Sequence, residues 1–155
     1  MNWAHVHLLI NHIPVMGLIG GVLLLGYAIA RKSAEATMLS FVLFALIAVV
    51  TIGVFVAGEE AEDVVKNLPG VTEAYIGRHE EAAEPTLIVI EALGVLAIAG
   101  LVLLRRKGAI PRWLVLAVLG TSLVASVAVG FTAYLGGQIR HTEIRSSAPS
   151  SAPAH

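Results

Sequence analysis

Histidines stand close to the ends of the long apolar segments of this sequence, where they are able to bind a metal ion or a haem. His5 and His12 precede the first apolar segment, and His79 precedes the third. His141 follows the fourth. A neutral imidazole is a common ligand of iron, copper and zinc and a frequent axial ligand of haem iron. The expected ligands are His12, His79 and His141, with His5 next.

Two kinds of cofactor fit these histidines. A b-type haem takes axial ligands from opposite sides of its ring, so His12 with His79 or His141 would serve. On a continuous helix His5 and His12 would share one face, about 10 Å apart along the axis, so they would serve two haems rather than one. The alternative is a bare copper, zinc or iron ion, held by His5 and His7 or by His79 with nearby carboxylates. A third possibility is that these histidines bind only water and lipid headgroups.

A carboxylate lies inside the third apolar segment. Glu91 is about six residues, or ~9 Å, from the start of that segment. An ionisable group at such a depth is costly and by default marks a functional site. We expect it to tune a polar pocket or to pass protons. An alternative role is a neutral acid that hydrogen-bonds a neighbouring carbonyl. The candidate partners are His12, Thr132, Tyr134 and Gln138.

Further acidic residues accompany the histidines between the second and third apolar segments. Glu59 opens an acidic run after the second segment, and Glu84 follows His79 by five positions. Both are expected in the polar pocket. The acidic run is a solvated surface, a divalent-cation site or a docking surface for a basic soluble partner.

Four apolar segments have to position these groups: 13–30, 38–57, 86–104 and 113–135. Each has about the 20 residues that a helix needs to cross a bilayer core of ~30 Å. The chain is 57% hydrophobic and only 14% charged, whereas soluble domains are about 25% charged. We therefore predict an all-α membrane protein, a four-transmembrane-helix bundle with a short helical periplasmic segment between the second and third spans. Residues 1–145 form this domain, and residues 146–155 form a low-complexity tail.

The short loops between spans one and two and between spans three and four are basic. Short cationic loops stay in the cytoplasm. The sequence therefore predicts a multi-pass protein of the bacterial inner membrane, with both termini and the cofactor on the periplasmic side. Six of the ten Lys and Arg residues lie at these loops: Arg31, Lys32, Arg105, Arg106, Lys107 and Arg112.

Four short stretches resemble a bacterial membrane family known as domain of unknown function twenty-two thirty-one. They are the opening His5-Val6-His7-Leu8-Leu9-Ile10-Asn11-His12-Ile13-Pro14, then Gly58-Glu59-Glu60-Ala61-Glu62, Arg78-His79-Glu80, and Gly136-Gly137-Gln138-Ile139-Arg140-His141. The resemblance implies four spans and singles out His12, His79 and His141. Members of that family look like redox-associated membrane proteins, so the resemblance also favours haem.

The leading hypothesis is a haem b electron-transfer protein, with one or two haems, that serves as a quinone-linked subunit of a redox complex. Its expected partners are the bilayer, quinone, other redox subunits and a second copy of the chain. A net charge of −1 argues against a nucleic-acid partner, and the lack of cysteine excludes iron–sulfur clusters. The alternatives are a non-haem metal protein and a cofactor-free structural subunit. A stand-alone enzyme is less expected than an electron-transfer or accessory subunit.

Overall fold

The computed structural model describes residues 2–145, and it has no β-strand within that range. The helices run Trp3–Ile10 (α1), His12–Arg31 (α2), Ala34–Val65 (α3), Glu73–Lys107 (α4) and Arg112–Arg140 (α5), followed by a 3₁₀ turn at Thr142–Ile144. Four helical stretches are long and apolar enough to cross a membrane, with α1 and α2 together forming the first. The predicted four-helix membrane architecture is therefore confirmed. The predicted tail, residues 146–155, lies outside the described residues.

The helix ends follow from local chemistry. Pro14 has no N–H to offer the Ile10 carbonyl, and the first stretch is interrupted three residues before it, at Asn11. Ser33 caps α3 through its side chain, which accepts a hydrogen bond from the Ala36 amide at 3.1 Å. Gly108 ends α4 in the left-handed conformation, with φ of 74°, which glycine adopts without steric cost.

The four long helices form a closed bundle. α2, α3, α4 and α5 each pack against the next along the chain, and α5 also packs against α2. Small residues let the backbones come close, as is typical of membrane bundles. Gly21 of α2 lies under the ring of Phe44, and Gly94 of α4 lies against Ala48, so that a Cβ on either glycine would overlap its neighbour. The packed glycines therefore fix how close these helices are.

Two of the helices are longer than a membrane is thick. α3 has 32 residues and α4 has 35, which corresponds to about 50 Å each, against ~30 Å for a bilayer core. The charged end of α3 and the charged start of α4 therefore project together beyond the apolar spans, joined by residues 66–72. The chain between the second and third apolar spans is thus largely helical, and its expected periplasmic location stays a prediction. α1 packs against α3 at the same end of the bundle.

Candidate functional site

His79 lies on the projecting part of α4, and its ring orientation is fixed by α5. Its Nδ1 is 3.0 Å from the Thr132 carbonyl oxygen. A carbonyl oxygen can only accept a hydrogen bond, so Nδ1 carries the proton and Nε2 keeps its lone pair. The ring rests on Gly136, where a Cβ would be 3.0 Å from the His79 Cε1. The half-buried imidazole is thus held in the tautomer that binds metals through Nε2.

His7 of α1 has the same environment on α3. Its Nδ1 donates to the Val54 carbonyl at 3.1 Å, and the ring is likewise half-buried. The ring rests on Gly58, where a Cβ would be 3.2 Å from the His7 Cε1. Here too the hydrogen bond leaves Nε2 free to bind a ligand.

The two environments repeat one arrangement. In each environment an imidazole N–H donates a hydrogen bond to a main-chain carbonyl of the neighbouring long helix: α1 donates to α3, and α4 donates to α5. That carbonyl belongs to the residue four positions, or about one helical turn, before the glycine under the ring. The repetition places two imidazoles of the same tautomer at the same end of the molecule.

The surroundings of His79 lower the pKa of its imidazole. Burial lowers the pKa of the His79 imidazole, its hydrogen bond to the Thr132 carbonyl acts in the opposite direction, and a charge on His7 lowers the pKa further. The lowered pKa favours the neutral imidazole, which is the form that a metal needs.

Threonine hydroxyls join α4 to α5 about two turns beyond His79 along α4. The Thr86 hydroxyl donates to the Ala82 carbonyl at 2.8 Å, and the Thr132 hydroxyl lies 2.9 Å from the Thr86 hydroxyl and 3.1 Å from the same carbonyl. Thr132 thus contributes its hydroxyl to the link between the helices and its carbonyl to His79. This link fixes the distance between the imidazole and its acceptor.

Two buried amide oxygens lie close in sequence to the two imidazole environments. Asn11 follows His7 by one turn, and Gln138 follows Gly136 by two positions. The Oδ1 of Asn11 and the Oε1 of Gln138 are buried with no hydrogen-bond partner among residues 2–145. Buried polar atoms without a partner are uncommon and call for an explanation, such as a bound group or water.

The other histidines that the sequence suggests lie on the surface. His5 bonds the side chain of Asn2, which caps α1, with 2.7 Å between Nδ1 and Oδ1. His12 is exposed at the start of α2. His141 pairs with the Glu143 carboxylate at 2.7 Å. As ligands these three histidines stay predictions.

The structure places His79 and His7 in matching environments at one end of the bundle. The sequence suggests His7 only as half of a bare-metal pair with His5. Which histidines become the candidate ligands depends on the carbonyl that each ring contacts across a helix interface. The sequence does not show such contacts. The available signal is a glycine at the level of each histidine on the neighbouring long helix, Gly58 and Gly136.

The acidic residues surround this site without converging on one point. Glu59 and Glu84 are exposed. Burial first, and then the neighbouring Glu62 and Glu59, raise the pKa of the Glu80 carboxyl. Within the described range, no three His, Asp or Glu side chains are grouped so that they could hold one metal ion. Their role in a polar pocket stays a prediction.

Glu91 is half-buried on α4 within the apolar span. Its Oε1 is buried and has no hydrogen-bond partner among residues 2–145. The suggested partner Thr132 bonds Thr86 and Ala82 instead, and Tyr134 is exposed. The proton-transfer role of Glu91 stays a prediction.

Comparison of the sequence with known protein families gave no match, and comparisons with curated proteins and with solved structures also gave none.

Proposed function

We propose that this protein is a membrane haem b protein that transfers electrons, and that His7 and His79 would hold one haem. The observation that carries the proposal is the pair of half-buried imidazoles, each donating Nδ1–H to a main-chain carbonyl and each keeping Nε2 free. A hydrogen bond of this kind orients a histidine ligand and raises its basicity.

Haem fits this donor set better than a bare ion does. The porphyrin itself supplies four nitrogens to the iron, so two imidazoles from different helices complete the coordination. Zinc sites, in contrast, take three or four ligands from the protein. The glycine under each ring leaves room for the imidazole against the helix backbone. When bound, the haem would supply a one-electron redox centre, and His7 and His79 would hold it.

The proposed location follows from charge. Six of the ten Lys and Arg residues lie at the two short loops opposite the imidazole pair. Under the positive-inside rule these loops are cytoplasmic, and the haem and both termini face the periplasm of a bacterial inner membrane. The protein would then connect quinone in the bilayer with a redox partner on the outer side, as a subunit of a larger complex.

The test is the absorption spectrum of the full chain purified from membranes, with haem quantified as its pyridine complex. We expect a Soret band, an α band on reduction and about one haem b per chain. His7→Ala and His79→Ala should lower the haem content about tenfold or more, the effect that loss of a ligand or its support has on metal affinity.

The exposed histidines provide the matched controls. His12→Ala and His141→Ala should keep the wild-type haem content, because neither ring is half-buried or bonded to a main-chain carbonyl. Loss of haem in these variants and in His79→Ala, but not in His7→Ala, would support the sequence-based ligand set instead. Stoichiometric copper, zinc or iron without porphyrin, or no cofactor at all, would overturn the proposal.

A further inference from the structure

A groove runs along the outer surface between α4 and α5, beside the threonine link that supports His79. Its volume is about 470 Å³, and its polar end is formed by Arg78 and Glu81. Pro85, Thr86 and Phe131 line its middle. The groove therefore starts in the projecting, charged part of α4 and enters the apolar span.

A second groove continues the first towards the middle of the membrane. It has a volume of about 510 Å³, shares Ala128 and Phe131 with the first, and extends to Leu123. Only apolar residues line it. The two grooves together match a molecule with a polar head at the membrane surface and a long apolar chain below it.

The polar end offers both a hydrogen-bond donor and an acceptor. Arg78 has only donor groups, and the Glu81 carboxylate has only acceptors. Pro85 has no N–H, so the Glu81 carbonyl also lacks its helical partner. In the described part of the chain, neither Arg78 nor Glu81 makes a salt bridge. A phosphate head would meet repulsion from Glu81, whereas a ring with two hydroxyl groups would satisfy both side chains, because one hydroxyl can donate to the carboxylate while the other accepts from Arg78.

Two observations favour an aromatic, redox-active head. The Phe131 side chain is 56% exposed beside the groove, where a flat ring can stack on it. Thr86 lines the groove and bonds Thr132, whose carbonyl accepts the His79 hydrogen bond. A molecule in the groove would thus lie one layer of side chains from the proposed haem ligand.

We infer that the α4–α5 groove binds an isoprenoid quinol or quinone, with its ring between Arg78, Glu81 and Phe131 and its tail along α5. This inference rests on the proposed function for its physiological meaning, because it identifies where the membrane electron carrier would bind. The binding itself does not require haem.

The test uses the full chain in lipid nanodiscs and a photoreactive azidoquinone with a decyl tail, followed by peptide mapping. We expect labelling of α4 and α5 at the groove, competed by excess decylubiquinone. Ala128→Phe should fill the groove and block the site. Arg78→Ala should remove a charge-assisted hydrogen bond. Each substitution should weaken labelling about tenfold or more.

Both control substitutions lie on α5. Ala133→Phe adds the same bulk at an exposed position of α5, and Arg140→Ala removes an arginine from its end. Neither residue lines the grooves, so both variants should label like wild type. Arg78→Ala leaves the helix packing in place, so it provides a result even if Ala128→Phe does not fold.

The outcomes separate the two proposals. Equal labelling of the wild type and the two groove variants would overturn the quinone site, as would competition by phospholipid but not by decylubiquinone. Groove-specific labelling of a protein that carries no haem would support the quinone site while the proposed haem function fails. Haem without groove labelling would overturn the quinone site and leave the haem function supported.

Discussion

The glycines under the two imidazoles give the sharpest test of the haem site, because a single methyl group perturbs each ring. In Gly136→Ala the new Cβ would stand 3.0 Å from the His79 Cε1 and 3.2 Å from its Nδ1. Carbon atoms are most favourably separated by about 3.5–4.0 Å, so the ring has to retreat by about 0.5 Å or more. In Gly58→Ala the corresponding distance to the His7 Cε1 is 3.2 Å, and a smaller shift suffices.

The retreat of the His79 ring weakens its hydrogen bond, because the acceptor lies on the same helix as the added methyl. The bond from Nδ1 to the Thr132 carbonyl is 3.0 Å long, and a shift of about 0.5 Å takes it beyond the usual limit of ~3.2 Å. Such a bond contributes about 1 kcal/mol net, and alanine in place of glycine returns about 0.5–1 kcal/mol of helix propensity. Overall stability should therefore change little, while the ligand loses its orientation.

The assay is haem titration of the apoprotein, followed at the Soret band. We expect Gly136→Ala to weaken haem binding about 10- to 100-fold, the usual effect of losing the hydrogen bond that orients a ligand, and Gly58→Ala to weaken it less. Gly130→Ala on α5 and Gly53→Ala on α3 are the controls, because a Cβ at either position has no atom within 4 Å. Equal haem affinity in all four variants and the wild type would contradict the proposed role of the two imidazoles.

Three further predictions concern packing, the loop and topology. Gly94→Ala forces α3 and α4 apart and should cost about 1–3 kcal/mol in detergent unfolding, whereas Gly20→Ala, which points into open space, should cost nothing. Arg145 donates to carbonyls of α5 and of the α3–α4 loop, so Arg145→Ala should speed hydrogen exchange in that loop; unchanged exchange would contradict this role. The chain has no cysteine, so single cysteines report topology without background. An impermeant maleimide applied to spheroplasts should label Asn67→Cys and not Ser33→Cys, and the reverse pattern would invert the orientation.

The four spans could be predicted from the sequence because they depend on local properties. A segment such as 86–104 is apolar over its whole length, and in lipid only a helix satisfies its backbone. The extension of α4 before Pro85 was less predictable. A proline interior to a helix removes one hydrogen bond, but packing against α5 keeps this helix continuous from Glu73 to Lys107.

The proposed ligand pair could be predicted only in part, because it depends on contacts between helices far apart in sequence. His79 stands out beside charged residues before a span. The sequence favours His12 over His7. It does not show that α1 packs on α3, and this packing brings the His7 ring to the Val54 carbonyl. Glu91 shows the same limit. Its depth in the span can be predicted from the sequence, but the hydrogen bonds of Thr132 to Thr86 and Ala82 of α4 cannot.

The most direct test of haem ligation by His7 and His79 is electron paramagnetic resonance of the ferric protein at low temperature. We predict a low-spin signal typical of iron with two imidazole ligands, lost in both His7→Ala and His79→Ala and unchanged in His12→Ala. Three results would contradict haem ligation by His7 and His79: a high-spin ferric signal in the wild type, a low-spin signal that survives both substitutions, or no haem iron at all.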